Sequence, residues 1–178
     1  MKRASLLLSI ALLCFIASAC QRTTDVIPDR LERHVDQQLR YADIKDHPET
    51  YRGKLMLAGG EVLSAKRTQQ GTELEVLQIP LSEELIPTGR DAETKGRFVI
   101  IDRNNDKVPD PAVFSDEKKR VTVVGEVVGM TTIKIDDVQQ QVPELAVKNI
   151  TVWDWDQRNS GHGPYYSYAY RYGYPYFW

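Results

Sequence analysis

Between Lys54 and Trp153 the chain is written in short β-prone runs separated by turn residues. The densest is 120–128 (RVTVVGEVV), where β-branched side chains favour extended backbone. Residues 72–79 alternate, which sets Leu74 and Val76 on one face and Glu73 and Glu75 on the other. Residues 54–65, 96–101 and 144–153 read as further strands. Residues 131–135 and 138–142, joined by Asp136-Asp137, make a hairpin. Gly59-Gly60 lies inside the first run, and a glycine pair there predicts a bulge or sharp bend of the kind a small barrel needs. Residues 68–71 are a turn, while 80–95 and 102–119 are long loops. The pattern predicts an all-β domain of five or six strands, a small barrel or sandwich with little helix.

The segment before this domain is polar. Leu31, Val35 and Leu39 recur at helical spacing, which predicts a short amphipathic helix starting near Asp29. His47-Pro48-Glu49-Thr50-Tyr51 reads as a helical turn with Pro at its first position, ended by Gly53.

The first residues give an address. Lys2 and Arg3 precede an apolar run from residue 4 to 16, broken only by Ser5, Ser9 and Cys14, and Ala17-Ser18-Ala19-Cys20 follows. A basic start, a short apolar stretch and small residues before a cut predict a signal peptide over 1–19. The run is shorter than the ~20 apolar residues that span a bilayer. Small residues directly before Cys20 resemble the bacterial lipobox, although Ala17 stands where Leu is commoner. By that resemblance the Cys20 thiol is lipidated, palmitate included, and becomes the new N-terminus. Ordinary cleavage would instead leave an exposed thiol in an oxidising compartment. Gln21, rather than Asp, resembles the signal for outer-membrane sorting.

Once residues 1–19 are set aside, 159 residues remain with 21 basic and 25 acidic side chains. That size predicts one domain, and the charge excludes the basic surplus of a dedicated nucleic-acid binder. Enzyme signatures are missing: there is no G-x-S-x-G, H-E-x-x-H, P-loop or C-x-x-C. His34 falls on an exposed helix, His47 at a helix start and His162 in a linker. The acidic pairs Glu83-Glu84 and Asp136-Asp137 fall in loops or turns. Asp102, Asn104, Asp106 and Asp110 occupy positions 1, 3, 5 and 9 of a calcium-loop pattern. Lys107 and Val113 stand at its two diagnostic positions, so the segment reads as a solvated Asx-rich turn. No metal, cofactor or catalytic residue is expected.

The C-terminal end is of another kind. After the linker chemistry of 159–164, nine of the last fourteen residues are aromatic. Tyr166, Tyr168, Tyr170, Tyr172, Tyr174 and Tyr176 alternate strictly, ending at Trp178. These are the candidate membrane or partner contacts. Three readings stay open: a disordered low-complexity tail, favoured by Gly173 and Pro175; an anchor at the membrane–water boundary; or a strand that adds to a barrel edge.

An ordered set of pieces carries a family resemblance. They are Cys20; Ile27-Pro28; Pro48 to Lys54 (PETYRGK); Gly59-Gly60; Leu74-Glu75-Val76 leading to Ile79-Pro80-Leu81; Pro87; Gly96-Arg97-Phe98; Asp110-Pro111 with Phe114; Val121 to Gly125 (VTVVG); and Trp153. Together they resemble the Slp family of starvation-inducible outer-membrane lipoproteins. The polar lead-in from Asp102 to Pro109 departs from it, since members usually carry a short apolar segment before Asp-Pro. The resemblance implies an OB-like barrel facing the periplasm, held at the outer membrane by lipid, with no catalytic activity implied.

The expected organisation is a lipoprotein signal peptide over 1–19, a lipidated tether and short helix over 20–40, the barrel over 41–157 and the Tyr-rich tail over 158–178. The expected role is a non-catalytic structural or interaction module of the envelope, tied to starvation or stress by the family's name. The alternative is a glycan-binding module for peptidoglycan or lipopolysaccharide, using the barrel face and the tail. Expected partners are the outer membrane, through covalent lipid, and an envelope protein or glycan.

Overall fold

Each β-prone run becomes extended backbone, and the strands close on one another. The computed structural model describes residues 26–88, 94–115 and 118–154. Residues 1–25 with Cys20, residues 89–93 and 116–117, and residues 155–178 with Trp155, His162 and the aromatic tail lie outside the described residues. Among the described residues five strands form: β1 (Leu55–Thr68), β2 (Gly71–Gln78), β3 (Arg97–Asp102), β4 (Lys119–Ile135) and β5 (Val138–Asp154). They make a closed barrel in the order β1-β2-β3-β5-β4.

The count settles at five because the runs at 120–128 and 131–135 are one strand. Gly129, with φ +145°, sits at a register shift that lets β4 continue past a bulge. The runs at 138–142 and 144–153 likewise join into β5. Asp136 and Asp137, at φ 46° and 70°, form the tight turn between β4 and β5, as a two-residue hairpin requires.

Gly59-Gly60 marks where β1 changes neighbours. Residues 55–61 pair with β4, and residues 60–68 pair with β2. A Cβ on Gly60 would lie 2.4 Å from the Leu77 carbonyl oxygen, so only glycine permits that approach. The register shift in this pair falls two residues later, between Val62 and Ser64. The short parallel contact of β3 with β5 closes the barrel, and no local pattern announces it.

Alternation then fills the interior. Leu74, Val76, Phe98, Ile100, Val121, Val123 and Leu145 are buried in one core. Each such side chain contributes about 1.5–3 kcal/mol by leaving water. Among the described residues three short helices precede β1: α1 (Asp29–Glu32), α2 (Tyr41–Asp46) and α3 (Pro48–Tyr51). Pro48 opens α3, and Gly53, at φ +82°, follows its end, as the sequence predicts.

The helix expected from Leu31, Val35 and Leu39 is shorter than its periodicity suggests. It stops at Glu32. Val35 makes an isolated parallel bridge to Leu55, the Asp36 N–H donates to the Leu55 carbonyl at 3.0 Å, and Leu39 is buried in the core. A helix this short is marginal alone, and pairing with the barrel displaces its continuation. The described part of the tether segment, 26–40, therefore lies on the barrel. The Asn149 side-chain amide and the Thr151 hydroxyl both donate to the Val26 carbonyl, at 3.1 and 3.2 Å.

Tyr41 gives this packing a pH signature. Its hydroxyl donates to the Arg97 carbonyl at 2.9 Å from a buried site. Burial pushes the phenol above its ordinary value. A raised folded value makes stability fully present below about pH 10 and lost as pH climbs through the folded value. Tyr41→Phe is expected to cost about 1 kcal/mol at neutral pH, because the Arg97 carbonyl loses its donor. The gap between the two proteins should narrow above about pH 10. Urea unfolding at pH 7 and pH 11 checks both, and a gap that widens with pH would refute the assignment.

Candidate functional site

The barrel interior is occupied by side chains, so chemistry and recognition have to be sought on its outside. One outer region is built with unusual care. The chain from Pro80 to Thr88 folds back on itself through Ser82 N–H to Ile86 O at 2.8 Å, Thr88 N–H to Pro80 O at 3.2 Å and a Leu81–Pro87 bridge. It then lies across β1 and β4. A Cβ on Gly59 would meet Leu81 Cδ2 at 2.3 Å, so the first glycine of the pair makes room for this loop.

Polar groups pin the loop from below. Arg120 Nη1 donates to the Pro87 carbonyl at 2.8 Å. The Trp153 indole N–H donates to Thr122 Oγ1 at 2.9 Å, and the Thr122 hydroxyl donates to the Leu85 carbonyl at 2.6 Å. Glu61 stands opposite Arg120 in the β1–β4 register, and both are only 4% exposed. Their charged groups lie 3.7 Å apart, and Lys118 reaches the other Glu61 oxygen at 2.8 Å. Leu85 is held at φ +62°, a conformation that costs a bulky side chain about 1–3 kcal/mol and persists only where surroundings enforce it.

Leu85 forms one wall of a groove of about 300 Å³ between the loop and the N-terminal segment. Ile27, Val35, Leu39 and Leu57 supply the rest of its apolar surface. Glu32, Asp36 and Gln37 supply its polar lining. Asp36 is shared with a wider cleft of about 610 Å³, lined by Leu31, His34, Lys54, Glu126 and Lys148 among others. An Asp36–Lys54 ion pair at 3.4 Å and a Glu126–Lys148 pair at 2.7 Å leave that cleft largely self-neutralised.

The residues singled out in the sequence fall elsewhere. Cys20, the six alternating tyrosines from Tyr166 to Tyr176 and Trp178 lie outside the described residues. The His34 Nδ1–H donates to the Arg30 carbonyl at 2.9 Å, within its own helical turn. His47 occupies the residue before α3 without a side-chain capping bond. Glu83-Glu84 are exposed on the pinned loop. Asp102 is buried, and its carboxylate accepts the N–H groups of Lys107 and Val108 at 2.7 and 2.8 Å. Asp110 accepts from Ala112 N–H at 3.0 Å. Asp110, bonding two residues on, makes an Asx-type turn, whereas Asp102 is buried and ties down the loop backbone five and six residues on, so the segment is not the wholly solvated turn expected. Among the described residues no group of three or more His, Cys, Asp or Glu side chains is placed to hold a metal ion. The residues that sequence reasoning missed are Glu61, Arg120, Thr122 and Leu85. For Glu61 and Arg120 the only early signal was charge inside β-prone runs, which means nothing until the register sets one against the other; Thr122 and Leu85 gave none.

The comparisons with known proteins bear on identity. A family model described as "Outer membrane lipoprotein Slp family" matches residues 17–178. No curated protein matches the chain. Among solved structures, aspartyl tRNA synthetase from Entamoeba histolytica matches at 11% identity with a TM-score of 0.34, over 68% of this chain and 23% of that one. The chain thus spans under a quarter of that enzyme's length, and a likeness so slight transfers neither fold nor activity.

Proposed function

Because the chain belongs to the outer membrane lipoprotein Slp family over nearly its whole length, we propose that Cys20 carries its lipid and that the barrel faces the periplasm as a non-catalytic structural or interaction module. The observation that supports this reading is a filled interior beside an outer groove. The interior is filled, and the built feature is an external groove beside the N-terminal segment that leads back toward Cys20. A module of this kind works by presenting a surface. The closed strand order 1-2-3-5-4 supports an OB-like reading of the barrel. A role in starvation or stress rests on the family resemblance.

The glycan-binding alternative has less to stand on. Sugar recognition on the barrel would want exposed aromatic platforms. Here Phe98, Tyr41 and Trp153 are buried, and Tyr51 and Phe114 pack partly against the core. Among the described residues that reading finds no exposed aromatic platform, so it rests on Trp155 and the tail, which lie outside them.

Metabolic labelling with palmitate, followed by membrane separation and protease treatment, tests the proposal. The expected protein is labelled, found in the outer-membrane fraction and cleaved only after the outer membrane is permeabilised. Cleavage on intact cells would overturn the periplasmic orientation.

A further inference from the structure

The groove between α1 and the pinned loop has a size, a chemistry and a neighbour that together identify an occupant. At about 300 Å³ it sits at the bottom of the range for ligand pockets, enough for one or two side chains and too small for a folded partner. Its walls are aliphatic, but its rim carries the carboxylates of Glu32 and Asp36. Asp36 already faces Lys54, whereas Glu32 is exposed and makes no ion pair among the described residues. An acyl chain would suit the walls but offers no donor to the carboxylates of the rim. An aromatic ring with a polar edge, or one beside an arginine, satisfies both parts.

The chain supplies such a segment next door. Residues 158–178 hold nine aromatic residues, Arg158 and Arg171, and no acidic side chain. The strand they follow in sequence ends beside the groove. β5 ends at Asp154, three residues beyond Thr151, whose hydroxyl holds the Val26 carbonyl next to Ile27 of the groove wall. Trp153 is joined through Thr122 to Leu85 of the opposite wall. The ten residues from 155 to 164 can span up to about 35 Å when extended, so the aromatic run easily reaches the groove.

We infer that this groove is the docking site of the chain's own aromatic segment, residues 165–178. A tyrosine or tryptophan ring seats against Leu57 and Leu85, and a phenolic O–H or the Arg171 guanidinium faces Glu32. The tail's contact is thereby its own barrel, in preference to lipid or a second protein. The inference stands on the groove and the tail, and it holds whether or not Cys20 is acylated.

Photo-crosslinking of the full-length protein in its own membranes tests it, with p-benzoylphenylalanine in place of Tyr170 and, separately, of Tyr174. The expected product is a crosslink within one chain to Ile27, Leu57 or Leu85, read by mass spectrometry. Glu32→Arg, on an exposed position of α1, should lower its yield at least threefold. Crosslinks to lipid, to another envelope protein or to a second copy would overturn the inference. So would the lack of a groove crosslink from both positions, or a yield that Glu32→Arg leaves unchanged.

Discussion

Replacing Arg120 with alanine should lower the stability of the barrel by about 3–5 kcal/mol, the usual cost of breaking a buried ion pair from one side. Two groups are affected at once: Glu61 loses one of its two cations, and the Pro87 carbonyl its donor. Glu61 keeps a carboxylate at 4% exposure with Lys118 as its remaining cation. The Pro87 carbonyl loses the donor that now lies 2.8 Å away. Native domains hold about 5–15 kcal/mol in total, so the loss is a large fraction. For a domain of this size it corresponds to a fall of roughly 10–20 °C in Tm. The pair is not thereby a net source of stability. Taking two charges out of water is expensive, and a matched apolar replacement, Glu61→Leu with Arg120→Met, is expected to lie within about 1–2 kcal/mol of the natural protein. Thermal unfolding of the single and double variants checks both statements. A change in Tm below about 2 °C for Arg120→Ala would show that the pair does not hold the loop.

That contrast explains what could be read from the chain and what could not. Strand content is a local property. Leu74 and Val76 alternate with Glu73 and Glu75 because one face is buried, and two-residue periodicity records this directly. The hairpin at Asp136-Asp137 and the helical turn at Pro48 are equally local, since each depends on a few φ angles that particular residues favour. Val35 is different. Its helical spacing from Leu31 is real, but a bridge to Leu55 twenty residues away decides its conformation.

The groove lies further still from what sequence can show. Ile27, Leu57 and Leu85 come from three separate stretches, and only the closed barrel brings them together. Gly59 carried the nearest signal. The glycine pair predicted a bend, and it does mark the change of neighbours in β1, yet its second use is to let Leu81 lie flat on the strand. A small residue reports that something approaches closely without saying what. Glu61 and Arg120 show the same limit: a charge inside a strand reads as a solvated face until its cross-strand partner and the overlying loop are known.

Cys20→Ser should remove the protein from the outer membrane altogether. Each buried methylene of an acyl chain contributes about 0.8 kcal/mol, and two or more chains make anchoring effectively permanent, whereas one chain binds only marginally. The described surface offers no substitute. No helix among the described residues is long and apolar enough to cross a membrane. The only large hydrophobic residues exposed among them, Leu63 and Val138, are isolated. The variant should lose all palmitate incorporation and leave the outer-membrane fraction, either free in the periplasm or held at the inner membrane by an uncut apolar run at 4–16. The barrel should still fold, because its packing begins at Val26, six residues beyond the changed site. Labelling and fractionation read both effects, and circular dichroism reads the third. Unchanged palmitate incorporation would refute Cys20 as the anchor. Loss of label with full retention in the outer membrane would instead identify the aromatic tail as a second anchor, because Tyr and Trp settle at the membrane interface. Truncation after Arg158 in the same background would then release the protein, and that result would also count against a tail docked on its own barrel.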